Sequence, residues 1–195
     1  MRVASGMELT PRDGQTFRFD AGTLCLEFLL SGALAEWEQL HTPQDLAAWI
    51  PRTRLEVRGE VRVEPADLER ARRLRAAIQA MAERAASATA PVVQAAEAKT
   101  LTEFAAAPPP VPVLGPAADR GWAYPMTAAQ YLSAVARDAM EVFTGPLVER
   151  VRMCGGERCL LLFLDTSRPG SRRWCSMDRC GNRQKLRTRR DRNPA

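Results

Sequence analysis

The sequence predicts an α+β fold: a mainly helical N-terminal domain with a small β-hairpin, followed by a compact C-terminal module. Three observations support this division. Apolar residues recur at helical spacing through most of the chain, four of the 5 cysteines fall within residues 154–180, and positive charge is concentrated after residue 150. With 195 residues, 46% of them hydrophobic, the chain can form a packed core. We expect a flexible segment over residues 1–15, the helical domain over 16–145 and the module over 146–195.

The first predicted element is the hairpin. Phe17-Arg-Phe19 alternates apolar and polar residues, Asp20-Ala-Gly22 is typical of a turn, and Thr23–Leu30 is a continuous apolar run. This order predicts two strands, the second of them buried. Cys25 lies inside the run, so we expect it to be a small core residue.

Helices account for most of the remaining N-terminal domain. Thr42 precedes Pro43 and Asp45, which predicts a short helix with Thr42 as its N-cap. The strongest helical pattern begins after Glu64, where apolar residues recur at steps of three and four. The residues of that stripe are Leu68, Ala71, Leu74, Ile78, Met81 and Ala85. Beyond it we expect helices over 92–106 and 127–143, an extended segment at 108–112 and a short strand at 121–124.

Four cysteines form two close pairs. Cys154 and Cys159 make the first and Cys175 and Cys180 the second, with four residues inside each pair and fifteen between the pairs. Each pair lets a tight turn aim two thiolates at one ion, which is typical of a structural zinc site. Four thiolates also fill a tetrahedron, so the ion would hold the fold and not catalyse. Two disulfides, or another metal as in an iron–sulfur cluster, are the alternatives.

The residues around these pairs predict a treble-clef-like order of knuckle, hairpin and helix. The knuckle is the loop between Cys154 and Cys159. The expected segments after it are a strand at 160–165, a turn at 167–171, a returning strand at 172–175 and a helix from Asp178 to about residue 190. Cys180 would then lie in the first turn of that helix.

The last segment of the module is strongly basic. Residues 151–195 carry 12 Lys+Arg against 4 Asp+Glu, whereas residues 1–150 carry 16 against 19. Guanidinium groups match phosphate geometry, so we expect a DNA-binding surface with steep salt dependence. Arg183, Gln184 and Arg187 are also candidates for contacts with base edges. The predicted nucleic-acid contacts are Arg172, Arg173, Arg179, Arg183, Gln184, Lys185, Arg187, Arg189 and Arg190.

Other partners fit the same surface. The module can act as a protein-interaction element that docks an acidic protein, RNA offers the same phosphates as DNA, and a basic terminus can be a solubilising tail. For residues 16–145 we expect signal sensing, with a small-molecule effector, or dimerisation, since a homodimer would read paired half-sites. The sequence has no phosphate loop or nucleophile–base motif, so we do not expect an enzyme.

Nothing in the sequence predicts membrane insertion or export. The longest apolar run, Leu160–Leu164, is far shorter than the roughly 20 residues of a membrane-spanning helix. The N-terminal residues lack the apolar stretch of a signal peptide. We therefore expect a cytoplasmic protein, in which thiols stay reduced and clustered cysteines bind metals.

Four motifs of the module carry a family resemblance. They are Cys154-Gly-Gly-Glu-Arg-Cys159, Leu162-Phe-Leu-Asp-Thr-Ser167, Arg172-Arg-Trp-Cys-Ser-Met177 and Cys180-Gly-Asn-Arg183. Together they resemble the CGNR zinc-finger family of bacterial proteins, named for the last tetrapeptide. The resemblance implies a four-cysteine zinc finger and a transcription-regulator role, sometimes described as stress-induced.

The N-terminal domain is similar to the companion domain of the same family. Phe17–Ser31, Thr42–Trp49 and Leu68–Ile78 fall where that domain has its motifs. Glu27 stands at the position of the family's acidic residue, and Leu30 stands where an asparagine is usual.

Overall fold

Short strands and longer helices alternate in the computed structural model, which describes residues 6–11, 14–33 and 37–192, with side chains through Arg189. The helices are α1 (Leu24–Phe28), α2 (Pro43–Trp49), α3 (Pro65–Ala86), α4 (Ala95–Ala105), α5 (Ala128–Thr144) and α6 (Asn182–Arg192). The strands are β1 (Met7–Leu9), β2 (Phe17–Phe19), β3 (Val61–Arg62), β4 (Pro112–Leu114), β5 (Arg120–Trp122), β6 (Met126–Thr127), β7 (Val151–Met153) and β8 (Leu162–Leu164). The predicted α+β class is confirmed. Over these described ranges, no helix has both the length and the apolar character that a bilayer crossing requires.

The longest helix, α3, lies at the centre of the N-terminal domain. A capping box begins it, in which the backbone N–H of Glu64 donates to Asp67 Oδ2 at 3.0 Å. The predicted apolar stripe faces the core. Ala71, Leu74, Ile78 and Met81 are buried, while Leu68 and Ala85 are partly buried. Helices α4 and α5 pack against α3 and against each other.

Helix α5 connects this core to the first helix of the chain. Thr127 caps it as a capping box, with Thr127 Oγ1 accepting from the backbone N–H of Gln130 at 3.2 Å. The buried ring of Tyr131 meets the ring of Phe28 edge to face, with centroids 6.0 Å apart. Such aromatic pairs stabilise a core beyond the area that they bury.

The segment after the first hairpin is helical, so our prediction of a buried strand over Thr23–Leu30 is wrong. Helix α1 continues into a single 3-10 turn at Leu29–Ser31. Every residue of α1 is buried, and a segment that is apolar on all sides has no helical period to distinguish it from a strand. The backbone N–H of Cys25 donates to Asp138 Oδ2 at 2.8 Å, which ties α1 to α5.

The N-terminal hairpin begins earlier than the sequence predicts. Strand β1 pairs antiparallel with β2, placing Met7 opposite Phe19 and Leu9 opposite Phe17. It lies inside the segment 1–15 that we expected to be flexible. The sequence did not predict this strand because an alternation over only three residues is too short to be recognised. Residues 1–5 and 12–13 of that segment lie outside the described residues. The remaining ladders are β3–β6, which is parallel, and β4–β5 and β7–β8, which are antiparallel.

The module shares the core of the N-terminal domain. Val151 of β7 and all three residues of β8 are buried. The ring of Phe163 meets the ring of Phe19 at 6.5 Å and 80°, and the backbone N–H of Leu164 donates to the carbonyl of Ala21 at 2.9 Å. The expected boundary between residues 145 and 146 follows the end of α5, but side-chain packing continues across it.

Candidate metal centre and basic helix

The four cysteine sulfur atoms of the module converge on one point. The Sγ atoms of Cys154, Cys159, Cys175 and Cys180 all lie within 4.8 Å of one another, and Cys159 Sγ is 3.9 Å from Cys175 Sγ. A tetrahedral zinc ion with Zn–S distances of about 2.3 Å separates its sulfur ligands by about 3.8 Å. All four are free thiols, as is Cys25, so the disulfide alternative does not describe this arrangement.

The first two ligands come from the glycine-containing knuckle after β7. The backbone N–H of Gly156 donates to Cys154 Sγ at 3.4 Å, and that of Cys175 donates to the same sulfur at 3.2 Å. Such bonds favour the thiolate over the thiol. Gly156 must be small, because a Cβ there would lie 2.6 Å from Cys180 Sγ. The knuckle therefore depends on glycine for close approach to the fourth ligand.

The second pair is positioned by the start of the C-terminal helical segment. Ser176, and not Asp178 as we predicted, is the cap: Ser176 Oγ accepts from the backbone N–H of Asp178 at 3.1 Å. A wide helical turn at Met177–Gly181 then leads directly into α6. Cys180 lies in that turn, as the sequence predicts, so one metal ligand belongs to the root of the helix.

The hairpin inside the module differs from the one predicted. Strand β8 pairs with β7, which precedes the first cysteine, and not with residues 172–175. The latter segment lies beside the knuckle, where the backbone N–H of Gly155 donates to the carbonyl of Arg173 at 2.9 Å. Strand β8 is buried on both sides and must pair where the core of the N-terminal domain places it.

Cys154, Cys159 and Cys175 compete for negative charge, because each changes the pKa of the others. Hydrogen bonds from Cys159 and Cys175 hold the pKa of Cys154 at about 2. The same interaction raises the pKa of Cys159 to about 12, and the pKa of Cys175 is also raised by Cys154. A divalent cation relieves this repulsion and is the natural counter-ion for four converging thiolates.

Arg172, one of the predicted nucleic-acid contacts, is used inside the fold. Its Nε and Nη2 donate to the carbonyls of Trp174 and Cys175 at 3.0 and 2.7 Å, and its Nη1 donates to the carbonyl of Asp20 at 3.0 Å. Its guanidinium also lies 4.1 Å from the ring centroid of Phe163. Burial lowers the pKa of this guanidinium. We therefore remove Arg172 from the proposed binding surface. Its role is structural, because it holds the Cys175 loop through hydrogen bonds to backbone carbonyls.

Three further residues of the predicted binding surface contact side chains from other parts of the fold. The guanidinium of Arg179 lies 4.8 Å from the ring centroid of Phe17, and Arg183 Nη2 donates to Gln15 Oε1 at 3.2 Å. Arg187 forms an ion pair with Glu157 of the knuckle. Because these partners are distant in sequence, no spacing rule singles out Phe17, Gln15 or Glu157.

Four of the other predicted contacts face solvent. Arg173 is exposed and lies 5.0 Å from the ring centroid of Trp174. Gln184, Lys185 and Arg189 are exposed on α6, as are Arg183 and Arg187 despite their contacts. Arg190 is part of the helix, but its side chain lies outside the described residues.

A cleft separates the knuckle from α6. Its volume is about 510 Å³, and its lining includes Glu157, Arg158, Arg179, Arg183, Gln184 and Arg187. Cations thus line the helix side of an open groove directly beside the metal cluster.

Comparison with known families agrees with this geometry. Residues 22–146 match the ABATE family, described as "Putative stress-induced transcription regulator". That match covers more than half of the chain. The chain belongs to the ABATE family. Residues 150–193 match the CGNR zinc finger, and no curated protein matches the sequence. The family resemblance and the zinc prediction are confirmed: in this ABATE protein Cys154, Cys159, Cys175 and Cys180 form the site of one structural zinc ion.

Glu27 of α1 forms a buried ion pair with Arg54. Glu27 is 2% exposed, and its carboxylate accepts from Arg54 Nε at 3.1 Å and from the backbone N–H of Arg54 at 2.6 Å. Burial raises the pKa of Glu27 although Arg54 opposes the shift. Arg54 also donates to Asp20 Oδ1 at 2.6 Å. These contacts join α1 to the loop after α2, which is a structural role.

Proposed function

We propose that this ABATE protein is a DNA-binding regulator in which zinc is structural and α6 contacts the phosphate backbone. The observation that carries the proposal is an exposed basic helix whose root is a metal ligand. Arg183, Lys185, Arg187 and Arg189 are all exposed on this helix. Little of α6 can be buried, since its single large apolar residue, Leu186, is itself 57% exposed.

The dimensions of the helix suit a DNA groove. With its side chains an α-helix is about 10–12 Å in diameter, which fits the major groove of B-DNA, about 12 Å wide. The 11 residues of α6 would extend over about 16 Å. Arg183 and Arg187 lie one helical turn apart, so both guanidinium groups can follow one strand. Gln184 beside them is the candidate for a base-edge contact, since a glutamine amide pairs with adenine.

Zinc contributes by fixing where the helix starts. Cys180 lies in the turn from which α6 extends, and the other ligands hold that turn against the knuckle and the Cys175 loop. A basic segment without such an anchor would search many orientations and lose binding free energy in being ordered. The proposal assigns no catalysis to the ion, because four thiolates complete its coordination.

Replacement of two exposed arginines tests this proposal. We expect Arg183→Ala combined with Arg187→Ala to weaken binding to duplex DNA by about tenfold or more, because two charge-assisted phosphate contacts are removed. Fluorescence anisotropy of labelled DNA measures the affinity. Arg58→Ala with Arg62→Ala is the matched control, since both are exposed and lie in the N-terminal domain. Undiminished binding by the α6 double variant would overturn the proposal.

A second candidate function is the docking of an acidic protein. Leu160, Met177 and Leu186 are 51%, 50% and 57% exposed, and apolar side chains among cations are more useful at a protein interface than along a phosphate backbone. Arg187 already forms an ion pair with a carboxylate, that of Glu157. Binding to a Glu-rich peptide, with none to duplex DNA or RNA at the same salt, would favour this candidate.

The remaining expectations stay predictions from the sequence. They are signal sensing through a small-molecule effector, homodimer formation, the absence of enzymatic activity and a cytoplasmic location. The proposal requires none of the first three, since the basic helix and its anchor belong to a single chain.

A further inference from the structure

The β1–β2 hairpin stands outside both family matches, which begin at residues 22 and 150. Its inward side chains, Met7, Leu9, Phe17 and Phe19, are buried, while Glu8 and Arg18 face outward. The module covers part of this hairpin. A segment that neither family accounts for therefore supports the metal-binding part of the chain.

Phe19 supports the loop of the third metal ligand. Its ring packs against Phe163 of β8, and the guanidinium of Arg172 lies 5.8 Å from the Phe19 centroid. Arg172 in turn donates to the carbonyl of Cys175 and to the carbonyl of Asp20, which directly follows β2. The hairpin is thus linked through one arginine to the backbone of a zinc ligand.

Phe17 and Gln15 support the root and the first turn of α6. Arg179, which immediately precedes Cys180, lies over the Phe17 ring at 4.8 Å. Arg183, four residues later and on the same face, donates to Gln15 Oε1 at 3.2 Å. Two contacts one turn apart restrict both the tilt and the rotation of a helix, whereas one metal ligand at its root restricts only its starting point.

Helix α6 needs this support because of its own length and composition. A helix of 11 residues is too short to be stable alone in water. It is polar nearly all round, so it cannot be stabilised by burying an apolar face. Apart from the exposed ion pair between Arg187 and Glu157, the support of α6 comes at its root and first turn, which are the parts that the hairpin touches.

We propose that the β1–β2 hairpin is the support that sets the direction of the basic helix, with Phe17 and Gln15 as positioning residues. Their effect on DNA affinity rests on the function proposed above, but their effect on helix order does not. The nucleic-acid-binding unit then consists of the module together with β1, Gln15 and β2, and the module alone is incomplete.

A charge-conserving substitution tests the contact between hairpin and helix. In the zinc-loaded full-length protein, Arg179→Lys keeps the positive charge but removes the planar group that stacks on Phe17. We expect amide hydrogen exchange over residues 182–189 to become about threefold faster or more, and DNA affinity to fall about three- to tenfold. Arg189→Lys is the matched control: it changes the same group on the same helix, away from the hairpin, and should leave exchange unchanged.

A second substitution approaches the contact from the hairpin. Phe17→Leu keeps an apolar side chain in the core, and Phe17→Trp restores an aromatic face for Arg179. We expect the first to accelerate exchange over residues 182–189 and the second to return it toward the wild-type rate. Zinc content and far-ultraviolet circular dichroism confirm that each variant is folded.

The outcomes separate this inference from the function on which it partly rests. Faster exchange in Arg179→Lys without any DNA binding by the wild type would support the positioning role and reject the DNA-binding function. Unchanged exchange in both Arg179→Lys and Phe17→Leu would overturn the positioning role, whatever the DNA affinity.

Discussion

Two adjacent arginines of the module, Arg172 and Arg173, have different roles because their surroundings in the fold differ. Arg172 donates to three carbonyl groups and lies over Phe163, whereas Arg173 is exposed beside Trp174. In the sequence they are equivalent members of a basic cluster. The partners of Arg172 lie as far away as residue 20, and no local pattern reveals which of two neighbours the fold will use.

The close packing around the metal centre predicts that Gly156 cannot be replaced by a larger residue without loss of zinc affinity. In Gly156→Ala the added Cβ would lie 2.6 Å from Cys180 Sγ and 3.2 Å from Cys159 Cβ, so two ligands must shift. We expect zinc affinity to fall by about tenfold or more, as when the surroundings of metal ligands are disturbed. Competition with a chromogenic chelator measures it.

Gly121→Ala is the matched control for this change, because its Cβ would meet nothing closer than 3.7 Å. Equal zinc affinities for the two alanine variants would contradict the close packing of the knuckle.

At the scale of elements, a capped and amphipathic helix can be predicted from sequence, whereas a fully buried segment cannot. Thr42 caps α2 as predicted, there as part of a capping box, and the predicted stripe of α3 faces the core. Helix α1 is apolar on all sides, and strand β8 pairs with β7 because the core places them together. The cysteine spacing predicted the metal site because cysteine is a chemically specific zinc ligand. The residues that contact α6, Phe17 and Gln15, are of common types with no characteristic spacing, so the sequence could not identify them.

The cap of α2 gives a pH-dependent prediction. The backbone and side chain of Thr42, then His41, lower the pKa of Asp45 from its usual 3.8. A carboxyl group with a lowered folded-state pKa stabilises the protein above its unfolded pKa, and this contribution is lost as the pH falls through the folded value. We expect Asp45→Asn to lower the Tm by about 1–3 °C at pH 7.

The difference between Asp45→Asn and wild type should shrink as the pH falls below about 3.8 and through the lowered folded-state pKa, because Asp45 is neutral in both states only below that pKa. Thermal unfolding followed by circular dichroism measures both effects. Glu141→Gln, an exposed carboxylate substitution on α5, serves as control. A Tm difference that is the same at every pH would show that the Asp45 charge has no role in the cap.

At the scale of the whole molecule, two family segments form one packed unit. Val151 and Leu161–Leu164 are buried in the same apolar cluster as the helices of the N-terminal domain. The change of charge near residue 150 is the basis of the predicted division in the sequence, but it says nothing about packing across that point. Metal binding and the stability of the N-terminal domain should therefore be coupled.

Zinc removal tests this coupling. We expect a strong chelator to lower the Tm of the complete protein by about 10 °C or more, because loss of the ion loosens β8 and the Cys175 loop together. Differential scanning calorimetry should show one transition with zinc and a single, shifted transition without it. An N-terminal transition that remains at its original temperature would contradict the shared core.

The salt dependence of DNA binding by the zinc-loaded protein shows whether the zinc-anchored helix contacts phosphates. Among the side chains of α6 that the structure describes, four cations are exposed, at Arg183, Lys185, Arg187 and Arg189. If they contact phosphates, log K should fall with log salt at a slope of about −3 to −4, since each phosphate neutralised contributes about −0.9. The affinity of the chelated protein should be lower by about tenfold or more at the same salt concentration, because ordering a helix that has lost its anchor costs binding free energy. A slope near zero with zinc bound, or an affinity that zinc removal leaves unchanged, would contradict phosphate binding by a zinc-anchored helix.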